Sequence, residues 1–139
     1  MIIVDASAVL EFLFATPTGA AVGARITDAA EEVAAPCLLD IEVAHVVRRW
    51  FLTGAIDEER GAKAVEHLGR LNVRRWPHEP LFPRIWTLRH NLTAYDAAYV
   101  SLAESLGAPL LTCDRSLVGV PGIRCPVEMI EWGAGASAT

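Results

Sequence analysis

The chain has 139 residues, of which 53% are hydrophobic and 21% charged, and its net charge is −5. That is one ordinary domain, with enough apolar material to build a core without disulfides. A mean hydropathy of +0.32 raises the question of a bilayer, but charges such as Asp40, Glu42 and Glu104 interrupt every run before the roughly 18 apolar residues that spanning requires.

Met1 to Val4 is a short apolar run suited to a strand buried on both faces. It lacks the basic segment and long apolar stretch of a signal peptide. A helical pattern follows from Ala8 to Phe14, then a second from Thr18 to Ala30. Glu32 to Ala35 reads as a strand stopped by Pro36, and Leu38 to Leu52 as a helix closed by Gly54. Asp57 is placed to cap a helix reaching Leu71, and Asn72 to Trp76 is strand-like. Pro80 to His90 is predicted helical, with Pro83 tolerated in a first turn. Thr93 to Leu106 is a helix ending at Gly107, followed by a strand from Leu110 to Cys113 and a turn or short helix over Asp114 to Val118. Ile123 to Cys125 is the candidate last edge strand, and Gly133 to Thr139 a small, polar tail expected to fray. Strands alternating with helices predict an α/β fold, a three-layer α/β/α domain around a central parallel sheet.

Ligands in such folds bind beyond the carboxyl ends of the strands. Asp5 immediately follows the first strand and Asp114 the strand at Leu110 to Cys113, so both are expected at that edge. Asp96 falls in the first turn of the preceding helix. Glu42 lies at the border of the apolar stripe formed by Leu39, Val43, Val46 and Trp50. Two carboxylates about 4 Å apart repel by roughly 4 kcal/mol at an effective dielectric near 20, so a cluster of four calls for protons or a cation. Mg²⁺ takes oxygen ligands and suits phosphodiester chemistry. Each acid also has a structural alternative. Asp5 and Asp114 are placed to cap the helical turns next to them, and Thr93-Ala-Tyr-Asp96 fits a capping box. Glu42 is in reach of His45 and Arg49 for surface pairing.

Net negative charge argues against a nucleic-acid partner. Setting four clustered carboxylates aside leaves only −1 for the remainder. Eleven of the twelve basic residues are arginines, including Arg48-Arg49 and Arg74-Arg75, and arginine suits bidentate phosphate contacts. Cys37, Cys113 and Cys125 are odd in number and lack C-x-x-C spacing, so they are expected as small core residues in a reducing cytoplasm.

Four segments, taken together, resemble a known family: Ile2-Ile-Val-Asp-Ala-Ser7, Leu38-Leu-Asp-Ile-Glu-Val43, Leu92-Thr-Ala-Tyr-Asp-Ala-Ala-Tyr-Val100 and Leu110-Leu-Thr-Cys-Asp114. In order and spacing they are similar to the PIN-domain endoribonucleases, specifically VapC-type toxins of type II toxin–antitoxin modules, from Met1 to about Glu131. The resemblance implies a PIN domain over 1–132, a flexible tail over 133–139, and catalytic acids at Asp5, Glu42, Asp96 and Asp114. Asp5 and Asp96 would be the direct ligands of Mg²⁺ or Mn²⁺, with Glu42 and Asp114 completing the metal site. Ser7, Thr112 and Arg115 are outer candidates, for holding ligands or phosphate. It further implies RNA as substrate (tRNA or rRNA), a VapB-type antitoxin partner and a homodimer, for which Pro80 to His90 is a candidate contact. Candidates for stacking on RNA bases are Trp50, Phe51, Trp76, Phe82, Trp86, Tyr95 and Tyr99. Cys113 departs from the larger apolar residue common there, and only a packing change is expected from it.

Other readings fit less well. A haloacid-dehalogenase-type phosphatase needs Asp-x-Asp, and the second position here is Ser7. A receiver domain needs a lysine after a late strand, whereas the only lysine is Lys63. No G-x-G-x-x-G marks a dinucleotide site. A PIN-type nuclease acting on DNA or in RNA processing would use the same four acids, and a non-catalytic binding module would bind no metal between them.

Overall fold

Ile2, Ile3 and Val4 are completely buried, and their strand, β1 (Ile2–Val4), occupies the middle of the sheet. The computed structural model describes residues 1–131, so the expected tail over 133–139 lies outside the described residues. The other elements are α1 (Ala6–Leu13), α2 (Pro17–Ile26), β2 (Val33–Pro36), α3 (Leu38–Leu52), α4 (Glu58–Arg70), β3 (Arg74–Trp76), α5 (Phe82–Thr87), α6 (Ala94–Leu106), β4 (Leu110–Thr112) and β5 (Val127–Met129). Single 3-10 turns stand at Glu79–Leu81 and Arg115–Leu117. All five strands are parallel, in the order β3-β2-β1-β4-β5.

That order explains the layers. The chain steps outward from β1 to β2 to β3 through α1 to α4, then returns across β1 to β4 through α5 and α6. Right-handed crossovers put the two helix groups on opposite faces. The packing agrees: α1 rests on α2, α3 and α4, while α5 rests on α6. The three-layer α/β/α domain read from the sequence is therefore the observed one. The reversal of direction falls between β1 and β4, which opens a crevice beyond their carboxyl ends.

Two helices owe their placement to small residues. α6 is buried continuously from Ala97 to Ala103, and it packs on β1, β2 and β4. Gly107 closes it in the left-handed conformation (φ 63°), which costs glycine nothing. α2 crosses α1 so closely that a Cβ on Gly19 would stand 2.0 Å from the Glu11 carbonyl oxygen. Among the described residues, no helix is long and apolar enough to cross a bilayer.

The structure differs from the sequence reading most clearly at two helix ends, at the segment from Pro80 to His90, at the last edge strand and at one cysteine. α1 begins at Ala6, before Ala8, because Asp5 caps it by accepting the Ala8 N–H at 3.0 Å. α2 stops at Ile26, short of Ala30, where the Thr27 hydroxyl donates to the Gly23 carbonyl at 2.6 Å. The segment from Pro80 to His90 is a 3-10 turn and a six-residue α5, since Pro80 and Pro83 have no amide proton to sustain a continuous helix. Ile123 to Cys125 is not a strand. The Arg124 N–H donates to Glu104 Oε1 at 2.7 Å, and the edge strand forms after Pro126 instead. Cys37 is exposed, while Cys113 and Cys125 are partly buried, and all three are free thiols.

Candidate active site

β1 and β4 pair with Val4 beside Leu111, so the next positions, Asp5 and Thr112, face each other. Asp5 is only 5% exposed, and hydrogen bonds hold both its oxygens. Oδ1 accepts from the Ser7 hydroxyl at 2.6 Å and the Ala8 N–H at 3.0 Å, and Oδ2 accepts from the Thr112 hydroxyl. The same two hydroxyls receive bonds in turn, Ser7 Oγ from the Cys113 N–H and Thr112 Oγ1 from the Asp114 N–H, both at 2.9 Å. Burial raises the Asp5 pKa, these hydrogen bonds oppose the rise, and neighbouring Asp114 adds to it. Ser7 and Thr112 thus orient an acid and lash the ends of β1 and β4 together. Asp5 is also a helix cap, so its structural and site readings coexist in one side chain.

Asp114 caps the 3-10 turn after β4, accepting from the Ser116 N–H at 2.9 Å. The Arg115 guanidinium is exposed and pairs with Glu131 at 2.8 Å. Asp96 stands in the first turn of α6, where the Thr93 hydroxyl accepts its N–H at 3.2 Å. Burial and Asp114 both raise the Asp96 pKa, against a lowering contact with the Thr93 hydroxyl.

Glu42 lies at the edge of the buried face of α3, which consists of Leu39, Val43 and Val47, with Val46 and Trp50 only partly covered. Burial first, then Asp96, then Asp5 push its pKa up to about 6, while the nearby Tyr99 hydroxyl lowers it. Glu42 Oε1 and the Tyr99 hydroxyl are buried neighbours that miss hydrogen-bonding geometry, and neither has another partner. Among the described residues, Glu42 forms no ion pair with His45 or Arg49, so the surface-pairing alternative is not realised.

The acids repel one another around a closed circuit: Asp5 with Asp114, Asp114 with Asp96, Asp96 with Glu42, and Glu42 with Asp5. Four elements supply them, and the set presents oxygen donors only. That set suits a hard divalent cation better than zinc. Among the described residues, no three carboxylate, imidazole or thiol groups converge tightly enough to form a closed cage. Mg²⁺ does not need one, because it is commonly held by one or two carboxylates with water and phosphate completing its shell. The buried, unpartnered Glu42 Oε1 is the kind of oxygen such an ion would satisfy. The residues fit.

Comparison with known proteins places the chain. The PIN domain family model matches residues 2–123. The chain is 41% identical to ribonuclease VapC12 of Mycobacterium tuberculosis over 130 residues, covering 94% of this chain and 99% of that protein. It is 42% identical to ribonuclease VapC1 of the same organism over 131 residues, covering 93% and 97%. This chain belongs to the PIN-domain family, within the VapC ribonucleases. The crystal structure of VapBC2 from Rickettsia felis, bound to a DNA fragment from its promoter, superposes with a TM-score of 0.67. It covers 95% of this chain and 99% of that one at 14% identity, a likeness in fold alone.

Other residues of this VapC-type site take different roles from those expected. Tyr99, a candidate for base stacking, is 1% exposed and stands beside Glu42 instead. Its spacing of three residues from Asp96 on α6 was the available signal. Trp50 packs edge-on against Phe14 at 5.1 Å, and Trp76 is half-buried beneath the Arg74 guanidinium at 4.5 Å. Only Phe51, Phe82, Trp86 and Tyr95 of the stacking candidates are exposed. Arg75 is occupied internally, bonding Asp40 and the carbonyls of Leu68, Leu71 and Val73. His78, unnoticed in the sequence, caps the helix that carries Glu42 by accepting the Leu38 N–H at 2.9 Å. No local pattern announces it, because the two residues are 40 positions apart.

Proposed function

We propose that this VapC-type ribonuclease is a Mg²⁺-dependent endoribonuclease toxin that cuts tRNA or rRNA in the cytoplasm. The observation that carries this reading is the closed circuit of Asp5, Glu42, Asp96 and Asp114, four mutually repelling acids from four elements at the switch point of the sheet. Asp5 and Asp96 would hold the ion, with Glu42 and Asp114 completing its surroundings; Mn²⁺ would serve as well. When bound, such an ion offsets phosphate charge and lowers the pKa of water beside it.

The protein's own part is positioning. Three hydrogen bonds fix Asp5, so its one remaining lone pair, on Oδ2, points in a fixed direction. Glu42 and Asp114 accept hydrogen bonds from the attacking water and aim it at the phosphorus. Asp96, raised on the first turn of α6, faces Asp114 across the crevice. A VapB-type antitoxin as the neutralising partner is supported by kinship with VapC proteins and by the paired VapBC2 assembly. A homodimer through the α5 region is supported by its exposed Phe82 and Trp86.

The test is cleavage of labelled RNA by the purified protein with Mg²⁺, with Mn²⁺ and with chelator. Cleavage should require the ion. Asp5→Asn should abolish cleavage and relieve growth inhibition while its melting temperature is retained. Full toxicity in that variant, or undiminished cleavage in chelator, would mean that the acids are not the catalytic centre.

A further inference from the structure

A groove of about 540 Å³ leads off the acidic circuit along α3, lined by Leu38, Ile41, Glu42, His45, Arg49 and Tyr95. Its chemistry changes along its length. At one end stands Glu42, and three and seven residues further along the helix stand His45 and Arg49. Those spacings keep one helical face, and at 1.5 Å per residue Arg49 lies about 10 Å beyond Glu42. Both basic side chains are exposed, and among the described residues neither has a hydrogen-bond or ion-pair partner. Six of the other ten arginines are engaged: Arg25, Arg70, Arg74, Arg75, Arg84 and Arg115 all pair with carboxylates. The opposite wall is Tyr95, 60% exposed on the residue before Asp96. Ile41, 71% exposed, stands before Glu42 and supplies an apolar floor.

We propose that this groove is the track for single-stranded RNA on one side of the scissile bond, with Tyr95 stacking on a base and Arg49, assisted by His45, holding a backbone phosphate. The proposal rests on the nuclease reading of the four acids. Charge complementarity chooses the occupant. An unpaired guanidinium and imidazole suit a phosphate chain entering a site whose floor is acidic, and phosphates are what a strand presents at each nucleotide step. An exposed aromatic ring offers a base face without demanding a particular base, which requires an unpaired strand. Duplex RNA stacks its bases inward and leaves Tyr95 nothing to receive. Tyr95 and Arg49 are positioning residues here, acting on substrate away from the reacting atoms.

The experiment uses the full chain carrying Asp5→Asn, so that RNA binds without being cut, and reads fluorescence anisotropy of a labelled 12-nucleotide single strand. Arg49→Ala should weaken binding about tenfold or more and reduce the salt dependence of affinity by roughly 0.7 in log–log slope, the contribution of one phosphate contact on a single strand. Tyr95→Ala should weaken binding by a similar factor with the slope unchanged, and Tyr95→Phe should restore it. A duplex of the same sequence should bind the parent and both variants alike. Unchanged single-strand affinity in both alanine variants would overturn the proposal. So would a loss of affinity in step with a halved solution mass, which would make the groove a contact between two copies of the chain. If the unsubstituted protein cleaves no RNA with any divalent ion, the nuclease reading falls, and this proposal falls with it.

Discussion

The strand-borne half of the acidic site and its helix-borne half are built on opposite terms. Asp5 and Asp114 leave the ends of β1 and β4, and backbone amides and two hydroxyls hold both oxygens of Asp5, leaving one lone pair on Oδ2 open, and engage Asp114. Glu42, on α3, keeps a buried oxygen with no partner, beside a tyrosine hydroxyl with none. A buried polar atom left unpaired costs about 1–3 kcal/mol. The strand half is therefore already organised, and the helix half is held in a state that a cation or a proton would relieve. Paired strands provide a fixed reference, while a helix edge can hold an acid whose environment disfavours its charge.

This contrast can be tested from either side. The largest effect is expected where organisation is removed. Ser7→Ala removes one of the two hydrogen bonds to Asp5 Oδ1 and Thr112→Val frees Oδ2, and either should lower metal affinity or cleavage by about 10–100-fold, the usual range for groups that orient a ligand. Calorimetric titration with Mn²⁺ measures this. A change below twofold would show that the hydroxyls serve only the fold.

A smaller effect is expected from relieving the helix half. Glu42 has a folded-state pKa of about 6 against a starting value of 4.5. Since the folded value is the higher one, its favourable contribution is complete below about 4.5 and is lost as pH rises through about 6. Asp5 and Asp96 shift in the same direction. Metal-free protein should therefore melt at lower temperature as pH climbs through this window. Glu42→Gln should show a shallower decline and gain about 1 kcal/mol near neutral pH, a value already reduced for solvent screening. Added Mn²⁺ should raise the melting temperature more near neutral pH than near pH 5, because the ion favours charged acids. Parallel melting curves for Glu42→Gln and the parent would contradict the contrast.

The smallest effect is expected at Tyr99. Its hydroxyl has no partner, so Tyr99→Phe should leave stability within about 1 kcal/mol of the parent or raise it slightly. A clear loss in denaturant unfolding would mean that the hydroxyl does bond Glu42 in solution, which would place Glu42 on the organised side.

Much of this was legible in the chain itself. β1 shows as an uninterrupted apolar run, and α6 is bounded by Thr93 and Gly107, both of which act as caps. Three of the four acids were visible because Asp5 and Asp114 follow strands and Asp96 stands in a first helical turn, while Glu42 showed only as an acid at the border of the α3 apolar stripe; both kinds of position are local properties. The last edge strand was not legible. Ile123 to Cys125 has the apolar content of a strand, but Glu104, some twenty residues away, takes the Arg124 amide. Arg75 and Arg49 look alike in sequence, and only long-range partners separate the occupied arginine from the unpaired one. Aromatic roles were similarly closed to sequence, since whether Tyr99 or Tyr95 reaches solvent depends on which face of α6 meets the sheet.

What the sequence determined by itself is the order of elements and the placement of three acids at their ends and of Glu42 beside an apolar helix stripe, because capping, strand burial, helical periodicity and crossover handedness act over a few residues or through simple topological rules. What tertiary structure alone decided is the electrostatic state of those acids. Their closed circuit of repulsion, the fixing of Asp5 by Ser7 and Thr112, and the stranded oxygen of Glu42 arise from contacts between segments up to about a hundred residues apart. Desolvation and Coulomb repulsion depend on distance in space, and no local pattern records it.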